Sequence, residues 1–128
     1  MNRTIYTVTS RNSIDQEFIM VGSYTSRGQA LDACVKYILR RMKFRKDLVW
    51  MMAHNRLHPE AAEFFTMERC PNAVNASCTV LKQSKRKKFR EYLRDVLGGN
   101  GYYYVQEMKD VFYFDVDEND LIESEVNA

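Results

Sequence analysis

The chain has no run approaching the roughly 20 apolar residues that a membrane-spanning helix requires. Its N-terminal stretch, MNRTIYTVTSR, lacks an apolar block before a small-residue cleavage site. Neither a membrane span nor a secretory leader is expected, which points to an intracellular protein. Cysteine is scarce and odd in number: Cys34, Cys70 and Cys78. Without export these do not read as a disulfide framework, and reduced thiols are the expectation. Asn2-Arg3-Thr4 and Asn75-Ala76-Ser77 match the glycosylation pattern, but in that setting they are chance matches. A P-loop, a GxSxG elbow and an HExxH pair are all missing. So are internal repeats, linkers and low-complexity tracts. No nucleophile–base pair can be named, so the expectation is a non-enzymatic protein with no catalytic residue and no cofactor.

What remains is 128 residues, read as one domain spanning 1–128. A chain of this size can bury about two-thirds of its unfolded surface, enough for one core. The formal charge of +2 conceals an uneven distribution. Residues 1–35 carry three basic and three acidic side chains, and residues 36–94 carry fifteen basic and five acidic. Residues 95–128 carry one basic and nine acidic. A basic middle followed by an acidic end suggests either an acidic partner for the middle or neutralisation of one block by the other.

The pattern of apolar residues predicts an α+β fold in the order ββααααββ. TIYTVT (4–9) and EFIMVGSY (17–24) read as strands joined by a turn-rich connection. The second has apolar residues on both sides, as a central strand would. Ser26 to Gln29 fits a capping box opening a helix whose apolar face is Leu31, Cys34, Val35, Ile38 and Met42. Residues 47–55 predict a second helix capped by Asp47, and His58-Pro59-Glu60 opens a third that buries Phe64, Phe65 and Met67. CTVLK (78–82) is either a short strand or an irregular lead-in. Ser84 can cap a fourth helix running to Leu97, with Gly98-Gly99 as its stop. GYYYVQEM and VFYFDV then read as strands around a turn at Lys109-Asp110, and Asp120 can cap a last short helix. Two β-hairpins forming a mainly antiparallel sheet, covered by three to four helices, is the packing this order implies.

Two clusters carry the candidate binding residues. In KQSKRKKFREYLRDVLGG (82–99), a helical projection places Phe89, Tyr92, Leu93, Val96 and Leu97 on a buried face. Lys87 and Glu91 then form an i,i+4 pair. Arg86, Arg90 and Arg94 form a stripe with no acid inside it. Arginine suits bidentate contact with phosphate or carboxylate. Three readings stand: a solvated flank, a surface for an acidic protein, and a surface for nucleic acid. The short KRKK run also matches a nuclear localisation pattern. The second cluster, LRRMKFRK (39–46), supplies Arg40, Arg41, Lys43 and Arg45. There Phe44 and Trp50 could stack on bases between cations, although core packing is the expectation for Trp50.

Two metal-like patterns fail on inspection. His54-x3-His58 followed by Cys70 and Cys78 offers four zinc-ligand types. Pro59 breaks the helix that the histidine spacing needs, and Cys-x7-Cys is not a zinc-knuckle pair, so no metal is expected. DVDEND (115–120) alternates like a calcium loop but has Asp120 where the loop needs glycine and Val126 where it needs glutamate.

The opening hairpin leading into VGSYTSRGQALDACVKYI, together with GYYYVQEMKDVFYFDVDEND, resembles small uncharacterised proteins of large nucleocytoplasmic DNA viruses. The resemblance covers about half the chain, excludes residues 47–81, and brings no catalytic residues with it. It implies a viral protein, either a virion component or a factor acting on host proteins in the cytoplasm or nucleus. The composite expectation is a binding module that mediates protein–protein contact or self-association in an assembly. Nucleic-acid binding through the basic helix face is the alternative.

Overall fold

Stretches of β-branched and aromatic residues at the two ends of the chain meet in one sheet. In the computed structural model, which describes residues 3–12, 18–71, 75–105 and 110–119, β1 spans Arg3–Asn12 and β2 Phe18–Tyr24. β5 spans Tyr102–Val105 and β6 Asp110–Asn119. All neighbours are antiparallel and the strand order is β2-β1-β6-β5. The two hairpins are therefore joined along β1 and β6, which pair from Arg3 opposite Asn119 to Asn12 opposite Asp110. The α+β expectation holds, but β2, expected as a central strand, lies at the edge of the sheet. The longest strands, β1 and β6, satisfy each other and occupy the centre.

Helix α1 (Arg27–Phe44) and helix α3 (Arg86–Asn100) lie on one face of this sheet. The expected face of α1 is buried in full, including Leu31, Cys34, Val35, Ile38 and Met42. Opposite them the sheet alternates, with Val8, Tyr103, Val105, Phe112 and Phe114 turned into the core. Tyr102 points out from the same strand. Phe89, Leu93 and Leu97 of α3 are fully buried. Phe89 sits in an aromatic cluster, its ring centroid 5.3 Å from both Phe64 and Phe65 and 6.1 Å from Tyr92.

The helix ends differ from the expected caps. Ser26 is the N-cap of α1, but its side chain makes no capping bond. Helix α2 spans Lys46–Ala53 with Arg45 as N-cap, so Asp47 falls inside the first turn, where its Oδ1 accepts from the Leu48 N–H at 2.9 Å. Ser84 lies in a short 3-10 turn, Gln83–Lys85, ahead of α3. Gly98 and Gly99 stay inside α3. Termination passes to Gly101, whose φ of 77° is the left-handed value that glycine accepts and whose N–H bonds the Leu97 carbonyl at 2.8 Å.

The third helix is the main correction. Pro59–Phe64 forms only a 3-10 helix, after which the chain turns into β3 (Phe65–Arg69), paired antiparallel with β4 (Ser77–Leu81). Burial there fades along β3 and does not alternate, although Phe65 and Met67 share a strand face. Phe65 faces the core and Met67, expected inside, is 58% exposed. This second sheet and α2 pack together at one end of the helical layer. The final short helix expected from Asp120 lies outside the described residues, as do 106–109 of the turn between β5 and β6.

Candidate functional site

Contacts between α1 and α3 decide which basic residues remain available. Arg27 at the start of α1 donates to the Gly98 carbonyl at 2.6 Å, and its guanidinium lies 5.3 Å from the Phe114 ring centroid. Arg94 donates through Nε to Asp32 Oδ1 at 2.9 Å and through Nη2 to the Gly28 carbonyl at 3.2 Å. These bonds run in antiparallel order, so the end of α1 and the start of α3 lie toward the same end of the molecule. Arg40–Arg45 and Arg86–Arg90 therefore share that end.

The candidate residues divide on this evidence. Arg94 does not belong to an acid-free stripe, because Asp32 on the neighbouring helix pairs with it. Arg41 folds back over its own helix, with its guanidinium 5.7 Å from the Tyr37 ring and Nη1 donating to the Tyr37 hydroxyl at 3.2 Å. Arg45 is half-buried and pairs with Asp47 at 3.4 Å. Arg40, Lys43, Arg86, Lys87 and Arg90 are exposed and make no ion pair among the described residues. The expected Lys87–Glu91 pair is therefore not formed.

The larger surprise is apolar. Phe44 is 83% exposed, Leu57 50% and Trp50 44%. All three belong to the corner formed by the end of α1, α2 and the turn after it. The expectation that Trp50 packs in the core is overturned. Leu48, Val49, Met52 and Ala53 form the buried side of α2. At about 100° per residue, Trp50 falls opposite them, in a row with Lys46 and His54. Among the described residues its ring stacks on that of His54, with centroids 4.2 Å apart. The same helical phase was available in the sequence and would have placed it outside. Arg40, Lys43, Lys46 and Arg56 are exposed and flank Phe44, Trp50 and Leu57 in the chain.

The zinc-like set does not assemble: among the described residues no three metal-binding side chains come together. His54 stacks on Trp50, whereas His58 lies against Tyr103 at 4.9 Å and beside Glu60, with Nδ1–Oε1 at 3.4 Å. Tyr92 donates to Glu60 at 2.8 Å, and burial followed by this bond raises the Tyr92 phenol. Glu60 is lowered, first by a hydrogen bond from its own backbone. Burial pushes Tyr103 up to about 12; Asn55 and Tyr92 approach its hydroxyl and oppose this, but the hydroxyl completes no hydrogen bond. Burial likewise pushes the Cys34 thiol up to about 12. His58, Glu60, Tyr92 and Tyr103 tie the 3-10 helix and its N-cap to α3 and β5. Asp115 and Asp117 lie on β6, paired with Thr7 and Ile5, and so belong to a strand rather than a calcium loop.

Among the described residues no helix is long and apolar enough to cross a membrane. Compared with protein-family models, curated proteins and solved structures, the chain matches none.

Proposed function

We propose that this chain is a non-enzymatic binding module that docks a protein partner at the α1–α2 corner. Phe44, Trp50 and Leu57 are its apolar anchors, and Arg40, Lys43, Lys46 and Arg56 form a cationic rim. The observation that carries this reading is the exposure of three large apolar side chains within the short stretch 44–57. Protein interfaces favour aromatic anchors inside a polar rim, and truncating such anchors costs most of the binding energy. The aliphatic Leu57 favours a protein over nucleic acid, since it offers no ring for a base to stack on. The positive balance of residues 36–94 selects an acidic, apolar segment as the partner chemistry. The acidic residues of 95–128 in a second copy would meet that description, so self-association is one form of the proposal. If the viral resemblance is correct, the setting is a virion or a host-directed complex.

Trp50 is the only tryptophan in the chain and reports on the site directly. Its fluorescence, followed during titration with a Glu/Asp-rich peptide containing Leu and Phe, should change saturably. The change should weaken with salt and vanish in Phe44→Ser. No response to the peptide would reject the proposal. Nucleic-acid binding, favoured by the absence of ion pairs at Arg86, Lys87 and Arg90 among the described residues, predicts a different result. Single-stranded oligonucleotide would then produce the change, and Arg86→Ala with Arg90→Ala would remove it. Sedimentation as a monomer at high concentration and low salt would eliminate self-association.

A further inference from the structure

Cys70 and Cys78 have no part in the docking surface. Cys70 follows the last residue of β3, and its N–H donates to the Ala76 carbonyl at 2.8 Å. Cys78 stands on β4 opposite Glu68. Alternate residues of a strand share a face, as do directly opposed residues. Cys70, Ala76, Glu68 and Cys78 therefore share one face of the hairpin, with the two cysteines as diagonal neighbours. Both thiols are free and half-buried. The neighbouring Cys78 thiol is the main influence on Cys70 and raises its thiol, against a smaller opposing pull from the Lys46 ammonium.

We propose that Cys70 and Cys78 form a redox modification site, closing reversibly to an intramolecular disulfide by exchange with a low-molecular-weight disulfide such as oxidised glutathione. Either thiol can open the exchange; in one order Cys70, at the turn end of the hairpin, attacks first. Its thiol loses a proton to solvent and the thiolate attacks one glutathione sulfur. The glutathione S–S bond breaks, one glutathione leaves as thiolate and takes up a proton, and the other remains on Cys70. Cys78, deprotonated in turn, attacks the Cys70 sulfur and expels the second glutathione. Two protein thiols are oxidised and one glutathione disulfide is reduced to two thiols.

The geometry also makes the bond labile. Diagonal neighbours in a sheet stand about 7–8 Å apart at Cα, at the limit of what a disulfide spans, so closure draws the end of β3 toward β4 by about 1 Å. Strained and accessible disulfides are the readily reduced ones, suited to a reversible role.

The full-length protein, equilibrated in graded mixtures of reduced and oxidised glutathione, should be acid-quenched, alkylated and weighed intact. The expected product is lighter by two hydrogens and yields a Cys70–Cys78 cross-linked peptide under non-reducing digestion. Cys34 is buried and should react only after denaturation. Cys78→Ser should retain glutathione on Cys70, because no second thiol can displace it. A wild-type protein that stops at the glutathione adduct, cross-links between chains or consumes Cys34 instead would overturn the proposal. None of these outcomes depends on whether the α1–α2 corner binds a partner.

Discussion

Arg90 and Arg94 stand one turn apart on α3 and look alike in the sequence, yet truncating each to Ala should have different effects. Arg90 is exposed and makes no ion pair among the described residues, so Arg90→Ala should change stability by no more than about 0.5 kcal/mol. Arg94 holds two partners on α1. Its pair with Asp32 has side chains 41% and 61% exposed, which limits it to ~0.2–1 kcal/mol. Its bond to the Gly28 carbonyl adds ~0.5–1.5 kcal/mol. Arg94→Ala should therefore cost about 1–2 kcal/mol, or a fall of roughly 3–12 °C in Tm for a domain of this size. Urea unfolding followed by circular dichroism measures both variants. A double-mutant cycle with Asp32→Ala should return a coupling of ~0.2–1 kcal/mol that shrinks as salt is added. Equal costs for the two arginines, or no coupling to Asp32 at low salt, would refute the division of the basic stripe.

Phe89→Ala should cost ~3–5 kcal/mol, since the ring is fully buried between Phe64, Phe65 and Tyr92; a chemical-denaturation midpoint measures it. Tyr103→Phe should be neutral or stabilising by about 1 kcal/mol, because it removes a buried hydroxyl with no hydrogen bond. The same variant tests pH dependence. The folded Tyr103 phenol titrates at about 12, above its ordinary 10, so its contribution is full below pH 10 and is lost as pH rises toward about 12. Tyr103→Phe should accordingly flatten part of the alkaline loss of stability seen in pH-dependent melting, and an unchanged alkaline limb would argue against that assignment.

The parts of the fold legible in the sequence were those with unambiguous periodicity. The apolar rows of α1 and α3 and the alternation of Tyr102 and Tyr103 carry their own phase. Phe64-Phe65-Thr66-Met67 misled because a short apolar run after a proline suits a helix or a strand equally. Pairing with Ser77–Leu81 decided for the strand. Helix ends fall a few residues from their expected places: Gly98-Gly99 continue α3 until the Gly101 N–H closes it on the Leu97 carbonyl, and Ser26 makes no side-chain cap. Arg94 could not be read correctly because Asp32 lies far away in sequence. Trp50 could have been, since the phase of α2 excludes it from the core. Large aromatic size outweighed that phase in the sequence reading.

The junction of β1 with β6 also bears on how the protein is made. These strands are separated by roughly a hundred residues, so their pairing closes a long loop and should be a late event in folding. During synthesis β1 and β2 can form a hairpin early, but the inner edge of β1 stays unpaired until Asp110–Asn119 has emerged. That edge is rich in β-branched residues and is a template for pairing with another chain. The nascent protein is therefore most vulnerable to misassembly just before β6 arrives, and a chain truncated ahead of Asp110 would remain in that state.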